Sequence, residues 1–241
     1  MPPTPPAAVP FDYRCVCGGS MTIGAIFSGR MVVCSRCATP VIAPLASGAT
    51  ATELQPSLSM ETKRLRLEPA VRDDWNRLLP ITSAPENYDY EVSDPDTARG
   101  LRRALAQSRF PAGFRKSLSL RFVATRRDGE TDAPIGLVHL QLERNHLTGT
   151  LGIMIHHPHQ GMGFGGECVE ALNRFCFETL RLFRLSAGCD PENKACASLL
   201  RSAGFEQEGR LRNWMFHSDR GWIDCLLFAK LSEDAPRSAV G

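Results

Sequence analysis

Between Glu61 and Leu231 the apolar positions fall in short blocks whose period switches between that of a strand and that of a helix. Arg64–Glu68 (RLRLE) alternates and predicts a strand. Asp73–Leu79 predicts a short helix opened by acidic residues, which suit the positive end of a helix. Asp94–Ser108 predicts a second helix, with Ser93 or Asp94 as N-cap and Pro95 in its first turn. Leu118, Leu120, Phe122 and Ala124 alternate with polar neighbours, so this stretch predicts a strand with one buried face, and Asp128-Gly129 marks the loop that returns the chain. Ile135–Leu142 and Thr150–His156 predict two more strands. Gly163–Leu180 predicts the longest helix, with Val169, Leu172, Cys176 and Leu180 on one face. Phe183–Gly188 predicts a strand, and Glu192–Ala203 a helix that stops at Gly204. Phe205–Asn213 and Trp222–Ala229 predict the closing strands. The order is strand, two helices, three strands, helix, strand, helix, two strands, which is a mixed α/β fold and not a strict βαβ alternation.

The first sixty residues have a different texture. Residues 1–10 are Pro-rich, residues 11–45 are rich in Cys and Gly with short β-type runs such as Met31-Val32-Val33, and residues 46–60 have the composition of a linker. The expected organisation is therefore a small domain over 11–45, a linker over 46–60 that permits independent motion, and a main domain over 61–231. Hydrophobic residues are 43% and charged residues 22% of the 241, an ordinary globular composition. The formal net charge of +2 offers no bulk electrostatic attraction to nucleic acid. No apolar run reaches the ~20 residues of a membrane helix, and the N-terminus lacks the basic start and apolar core of a signal peptide. These readings, with nine cysteines mostly scattered singly, lead us to expect a cytoplasmic protein with no membrane partner.

Four cysteines are clustered. Cys15 and Cys17 form C-x-C, and after sixteen residues Cys34 and Cys37 form C-x-x-C. Two close thiolate pairs suit a tetrahedral Zn²⁺, so the segment is expected to be a zinc-ribbon-like domain with structural zinc, although the first pair departs from the usual C-x-x-C knuckle. A metal-free ribbon and free thiols are the alternatives. A segment of about 30 residues could hardly fold alone without metal.

The sharpest chemical signal is Gln160-Gly161-Met162-Gly163-Phe164-Gly165-Gly166, between an apolar strand and the long helix. A helix N-terminus leaves backbone N–H groups unpaired and partly positive, and glycines let the main chain approach a ligand closely, so together they suit a pyrophosphate. No Lys-Ser/Thr pair follows, which excludes a P-loop. A tight turn without a ligand is the alternative.

QGMGFG is similar to the Gln/Arg-x-x-Gly-x-Gly/Ala acetyl-CoA signature of the GNAT superfamily. LGIMIHHPHQGMGFGGECVEAL resembles the strand–loop–helix of its ribosomal-protein N-terminal acetyltransferase branch. TKRLRLEPAVRDDWNRLLPITSAPENYDY resembles the opening of that branch, and ENKACASLLRSAGFEQEGRLRN with GWIDCLLFAKL its close. The resemblance implies a GNAT fold, a mixed and mostly antiparallel twisted sheet flanked by helices, and transfer of acetyl from acetyl-CoA to a primary amine by direct attack on the thioester. It implies that the amides of Gln160, Gly161, Gly163, Gly165 and Gly166 hold the CoA pyrophosphate, and that a bulge in the preceding strand frees Met154 or Ile155 to polarise the thioester carbonyl. Asn193 matches the family's Asn beside the CoA arm. Cys196 stands where the branch has Ser near the sulfur, as a proton donor or as a packing residue. Leu200 replaces the Tyr acid of other branches, and Thr150 stands where some relatives carry an acidic base. His156, His157 and His159 lie just ahead of the loop, and His156 is the base candidate against a solvated loop. Glu86 and Asp89, in the acceptor-side loop, could attract a cationic amine. The resemblance implies an acceptor that is a protein N-terminus or a small amine. The rival reading is a degenerate acyltransferase whose ribbon binds protein or nucleic acid.

Overall fold

The computed structural model describes residues 11–14, 20–23, 31–33, 40–42, 59–90, 97–107, 117–127, 133–143 and 147–233. Near the N-terminus, β1 (Phe11–Arg14) pairs antiparallel with β2 (Ser20–Ile23), and β3 (Met31–Val33) with β4 (Pro40–Ile42). Cys15, Cys17, Cys34 and Cys37 lie outside the described residues. Among the described residues no group of three or more His, Cys, Asp or Glu is arranged to hold a metal.

The main domain is built on an eight-stranded sheet in the order β11-β12-β10-β9-β8-β7-β6-β5. Its strands are β5 (Met60–Glu61), β6 (Leu65–Pro69), β7 (Ser117–Arg126), β8 (Pro134–Glu143), β9 (Thr148–Ile155), β10 (Arg184–Cys189), β11 (Glu206–His217) and β12 (Gly221–Leu231). Every neighbouring pair is antiparallel except β9 with β10. The helices are α1 (Trp75–Thr82), α2 (Ala98–Gln107), α3 (Phe164–Arg174) and α4 (Lys194–Ser202).

Two apolar clusters, one on each face of the sheet, hold these layers together. The larger joins Phe122, Leu140, Leu185 and Phe228 of the sheet to Val169 and Leu172 of α3 and to Ala197 and Leu200 of α4. Within it Phe122 meets the Phe175 ring edge-on at 5.9 Å. The smaller joins Val123 to Leu78 of α1 and to Leu101 and Leu105 of α2. Alternation along β7 explains the split, because Phe122 and Val123 point to opposite faces.

The element order matches the expectation, and the differences lie at the ends. Residues Arg72–Asp74 form a 3-10 turn before α1, so the helix begins at Trp75. The long helix stops being α-helical at Arg174 and continues as a π-turn over Phe175–Thr179. β11 runs past Asn213 to His217, because an irregularity between Leu211 and Met215, with Asn213 at φ 47°, lets pairing with β12 resume. β5, at two residues, is too short to show a period.

Candidate active site

β9 and β10 are paired only over Arg184↔Thr148 to Ser186↔Thr150. Beyond that they separate, while each keeps its other neighbour: β8 follows β9 to Ile155, and β12 follows β10 to Cys189. The separation opens a cavity of about 420 Å³ whose walls include Ile153, Ile155, Gly165, Asp190, Asn193 and Cys196. Its lining also takes in Gln160, Gly161, Gly163 and Gly166.

The β8–β9 register runs without a shift from Glu143↔Thr148 to Gly136↔Ile155, so the bulge expected in this strand is absent. His156 N–H donates to Ile135 O at 2.8 Å. Antiparallel alternation then turns the Met154 and Gly152 amides toward β8, and the Ile153 and Ile155 amides toward the open cleft. Met154 is accordingly not a lining residue, whereas Ile153, which the sequence did not single out, is. A period-two strand shows which residues share a face, but not which edge is left unpaired.

The glycine loop is shaped by contacts from far along the chain. Gly161 and Gly163 have φ of 73° and 85°, and Gly163 caps α3 in the left-handed region. A Cβ placed on Gly161 or Gly166 would meet nothing within 4 Å, so the loop faces open space. Gly165 is different, because its Cβ would lie 2.8 Å from Leu199 Cδ1 of α4. Arg64 braces the loop from below: its Nη2 donates to Met162 O at 2.9 Å and its guanidinium stacks 4.3 Å above the Phe164 ring. The same Arg64 pairs with Glu167, which also accepts from Thr62 Oγ1 at 2.6 Å. Burial pushes the Glu167 carboxyl up, but the hydrogen bonds from Thr62 and Arg64 and the Arg64 charge together hold it below its ordinary 4.5. A depressed carboxylate pKa contributes stability above the unfolded-state value and loses it as the pH falls through the folded-state value. Glu167→Gln is therefore expected to melt below wild type at neutral pH, with the gap in Tm shrinking as the pH falls below 4.5, as read in melting curves from pH 7 to 3.

Gln160 leaves the loop to hold its entry, since its side-chain amide donates to Ile155 O at 2.8 Å. Asn87, in the connection between α1 and α2, accepts from His157 N at 2.8 Å and lies 3.3 Å from His156 Nδ1. The His156 ring thus faces Asn87 and is not among the residues lining the cavity, while His159 is. Burial, His156 and Arg126, in that order, lower the His159 pKa from its ordinary 6.5. Glu86 lies in a 3-10 turn of the same connection, Pro85–Asn87. Thr150 Oγ1 is 2.9 Å from Ser186 Oγ on the opposite face of the sheet from α3. On that face His139 stands opposite Gly152, its Nε2 2.9 Å from Ser119 Oγ. Burial and then Arg121 push the His139 pKa down to about 4, which makes it far less basic than an alkylamine.

α4 closes the cavity with its N-terminal turn. Asn193 is its N-cap, and Asn193 Oδ1 accepts from Cys196 N at 2.9 Å. Replacement of such a cap by Ala costs about 1 kcal/mol. Asn193→Ala is thus expected to lower Tm by roughly 2–4 °C in calorimetric melts. Cys196 is half-buried in the first turn of α4, and Cys189, 3% exposed at the end of β10, has its Sγ 3.6 Å from the carbonyl oxygen of the α4 cap Asn193. Next to Cys189, Asp190, 4% exposed, accepts from Arg220 in the β11–β12 turn. Arg220 also donates to Glu192 Oε2 at 2.8 Å and to Asp89 O, and lies over the Tyr90 ring.

The acetyltransferase (GNAT) domain family matches residues 64–206. The chain belongs to the GNAT acetyltransferase family. An uncharacterized N-acetyltransferase of Bacillus licheniformis is 29% identical over 180 residues, covering 73% of this chain and 97% of that protein. The ribosomal protein uS5-alanine N-acetyltransferase of Escherichia coli (strain K12) is 33% identical over 84 residues, 35% of this chain and 43% of that one. Among solved structures, spermidine N-acetyltransferase from Vibrio cholerae in complex with CoA and spermine has a TM-score of 0.61 at 22% identity, over 71% of this chain and 97% of that one. This GNAT domain is an acetyl-CoA-dependent acyltransferase. Arg64, Asn87, Ile153, Cys189, Asp190 and Arg220 of the acetyltransferase escaped the sequence reading. Arg64 and Glu167 are 103 positions apart, and no local pattern signals such a pair.

Proposed function

We propose that this GNAT enzyme acetylates a primary amine, of a protein N-terminus or of a small polyamine, by direct attack on the thioester of acetyl-CoA. The observation that carries the reading is the separation of β9 from β10, which gathers the glycine loop, two unpaired strand amides and the α4 N-terminal turn around one cavity. The unpaired amides of the α3 N-terminus and the open faces of Gly161 and Gly166 suit a pyrophosphate. The cleft-facing amides of Ile153 and Ile155 suit carbonyl oxygens of an extended arm lying along β9, and one of them suits the oxygen that gains charge when an amine attacks. As the C–S bond breaks, the Cys196 thiol gives a proton to the leaving thiolate. The nitrogen releases its proton to water, since His139 is too weak a base and His156 faces Asn87.

The protein N-terminus is supported by the relative named for acetylating ribosomal protein uS5, the polyamine by the fold shared with the spermidine enzyme. Acetyl-CoA should bind the purified chain at micromolar strength in calorimetry. CoA thiol release should then follow with Ala- or Ser-initiated peptides or with spermidine. Absence of binding would sink the cofactor reading, and binding without release across both classes would sink the acceptor reading.

For the N-terminal part we propose structural zinc held by Cys15, Cys17, Cys34 and Cys37 in a unit distinct from residues 61–231. In sequence each pair falls within the connection of one hairpin, β1–β2 or β3–β4. Metal analysis should return one zinc per chain, lost in Cys34→Ser. A zinc-free chain would remove this reading.

A further inference from the structure

Two thiols share one wall of the cavity, and acyl transfer uses at most one of them. Cys189 ends β10 and Cys196 lies in the first turn of α4; Cys189 Sγ is 3.6 Å from Asn193 O while Asn193 Oδ1 accepts from Cys196 N at 2.9 Å, so this short connection brings both cysteines to one corner of the cavity. Both line the cavity and both are free. Cys196 is the more accessible, whereas Cys189 is buried behind it with its Sγ 3.2 Å from Asp190 O. Cys225 does not join them: its Sγ approaches Gly188, whose side of β10 faces away from the buried Leu185, Ala187 and Cys189. Cys168 of α3 and Cys176 of the π-turn that follows it are buried in the core and are not lining residues.

A thiol pair of this kind is a site for thiol–disulfide exchange, and the cavity selects the partner. We propose that Cys196 and Cys189 form a dithiol that is oxidised within the cavity by the disulfide of CoA, ending as an intrachain Cys189–Cys196 disulfide. The proposal rests on the reading that the cavity holds the CoA arm with its sulfur at the α4 turn. In the first step the Cys196 sulfur attacks one sulfur of CoA disulfide. A Cys196–CoA disulfide forms, the CoA S–S bond breaks, and one CoA leaves as thiol with the proton that Cys196 gave up. In the second step the Cys189 sulfur attacks the Cys196 sulfur, the intrachain disulfide forms, and the second CoA leaves with the Cys189 proton. Two protein thiols are oxidised by two electrons and one CoA disulfide is reduced to two CoA thiols. The product would bar acetyl transfer, because it consumes the Cys196 thiol and ties α4 to β10 across the cavity wall.

The sequence makes the linkage easy to read, since trypsin cleaves after Arg184, Lys194 and Arg201 and leaves the two cysteines in separate peptides, 185–194 and 195–201. The full chain, reduced and freed of reductant, is treated with CoA disulfide or with glutathione disulfide, alkylated, digested without reduction and analysed by mass. The linked pair is expected with CoA disulfide, roughly tenfold or more faster than with glutathione disulfide, because a held reactant has a high effective concentration. Excess acetyl-CoA should slow it, and dithiothreitol should restore thiol-release activity. In Cys189→Ala the second step is blocked, so a CoA adduct should accumulate on the 195–201 peptide. If the reduced chain binds acetyl-CoA in calorimetry yet gives neither linkage nor adduct, or reacts equally fast with glutathione disulfide, the proposal is wrong and the cofactor reading stands. If acetyl-CoA does not bind at all, both fall.

Discussion

Gly163→Asp should weaken acetyl-CoA binding by roughly a hundredfold or more while leaving the fold intact, because a carboxylate about 4 Å from a pyrophosphate charge opposes it by several kcal/mol at the effective dielectric of a protein surface. Gly163 caps α3 at φ 85°, a conformation that costs an L-residue about 1 kcal/mol but that Asp and Asn tolerate better than most. Its Cβ would meet only Arg64 Nη2, at 3.3 Å, the end of a flexible side chain. The substitution thus places charge at the mouth of the α3 dipole with little steric damage. Gly163→Asn separates the two effects, having the same backbone demand and no charge. Calorimetric titration of the three proteins, with melting temperatures measured in parallel, should show a small loss for Asn and a large one for Asp, with Tm lowered similarly in both. Equal, small losses in both variants would mean that the α3 N-terminus does not carry the anion.

Arg220→Ala is expected to destabilise the domain by about 3 kcal/mol, the lower end of the cost when a buried ion pair loses one member. The asymmetry of the pair sets the direction. The Asp190 side chain is 1% exposed and Arg220 27% exposed, so removing the arginine strands a carboxylate that cannot reach water. Glu192 N still donates to Asp190 Oδ1 at 2.8 Å, which keeps the loss from being larger. For a domain of this size the change corresponds to a fall in Tm on the order of 10 °C. Arg220→Ala combined with Asp190→Asn should recover much of it, since the stranded charge is gone. If the double variant melts no higher than the single one, Arg220 acts through its contacts with Asp89 O and the Tyr90 ring and not through the buried carboxylate.

The parts of the site that were legible in the sequence are those made by neighbours along the chain. The glycine loop is one, because backbone freedom at Gly161 and Gly163 and the start of α3 are properties of consecutive residues. Asn193 was singled out by resemblance as a residue beside the CoA arm; that it caps α4 by accepting from Cys196 N is a finding of the structure. The expected strand bulge before the loop was carried by resemblance and not by any local signal, and the strand is regular. His156 was named as a base from its proximity in sequence to the loop, but Asn87, 69 positions earlier, faces its ring.

The sequence by itself determined the order and type of the main-domain elements from β6 onward (though not their ends), the glycine loop, and the family to which they belong. It could do so because the periods of strand and helix, glycine freedom and cap chemistry act over a few residues at a time. The tertiary structure decided which strand edge is left unpaired, which amides face the cavity, what braces the loop and which thiols share the cavity wall. Those outcomes depend on two segments far apart in the chain arriving at the same place, as Arg64 does beneath Glu167 and Arg220 beside Asp190. Neither meeting leaves a mark in the pattern of the residues around it, because it is set by how the layers pack and not by how the chain turns.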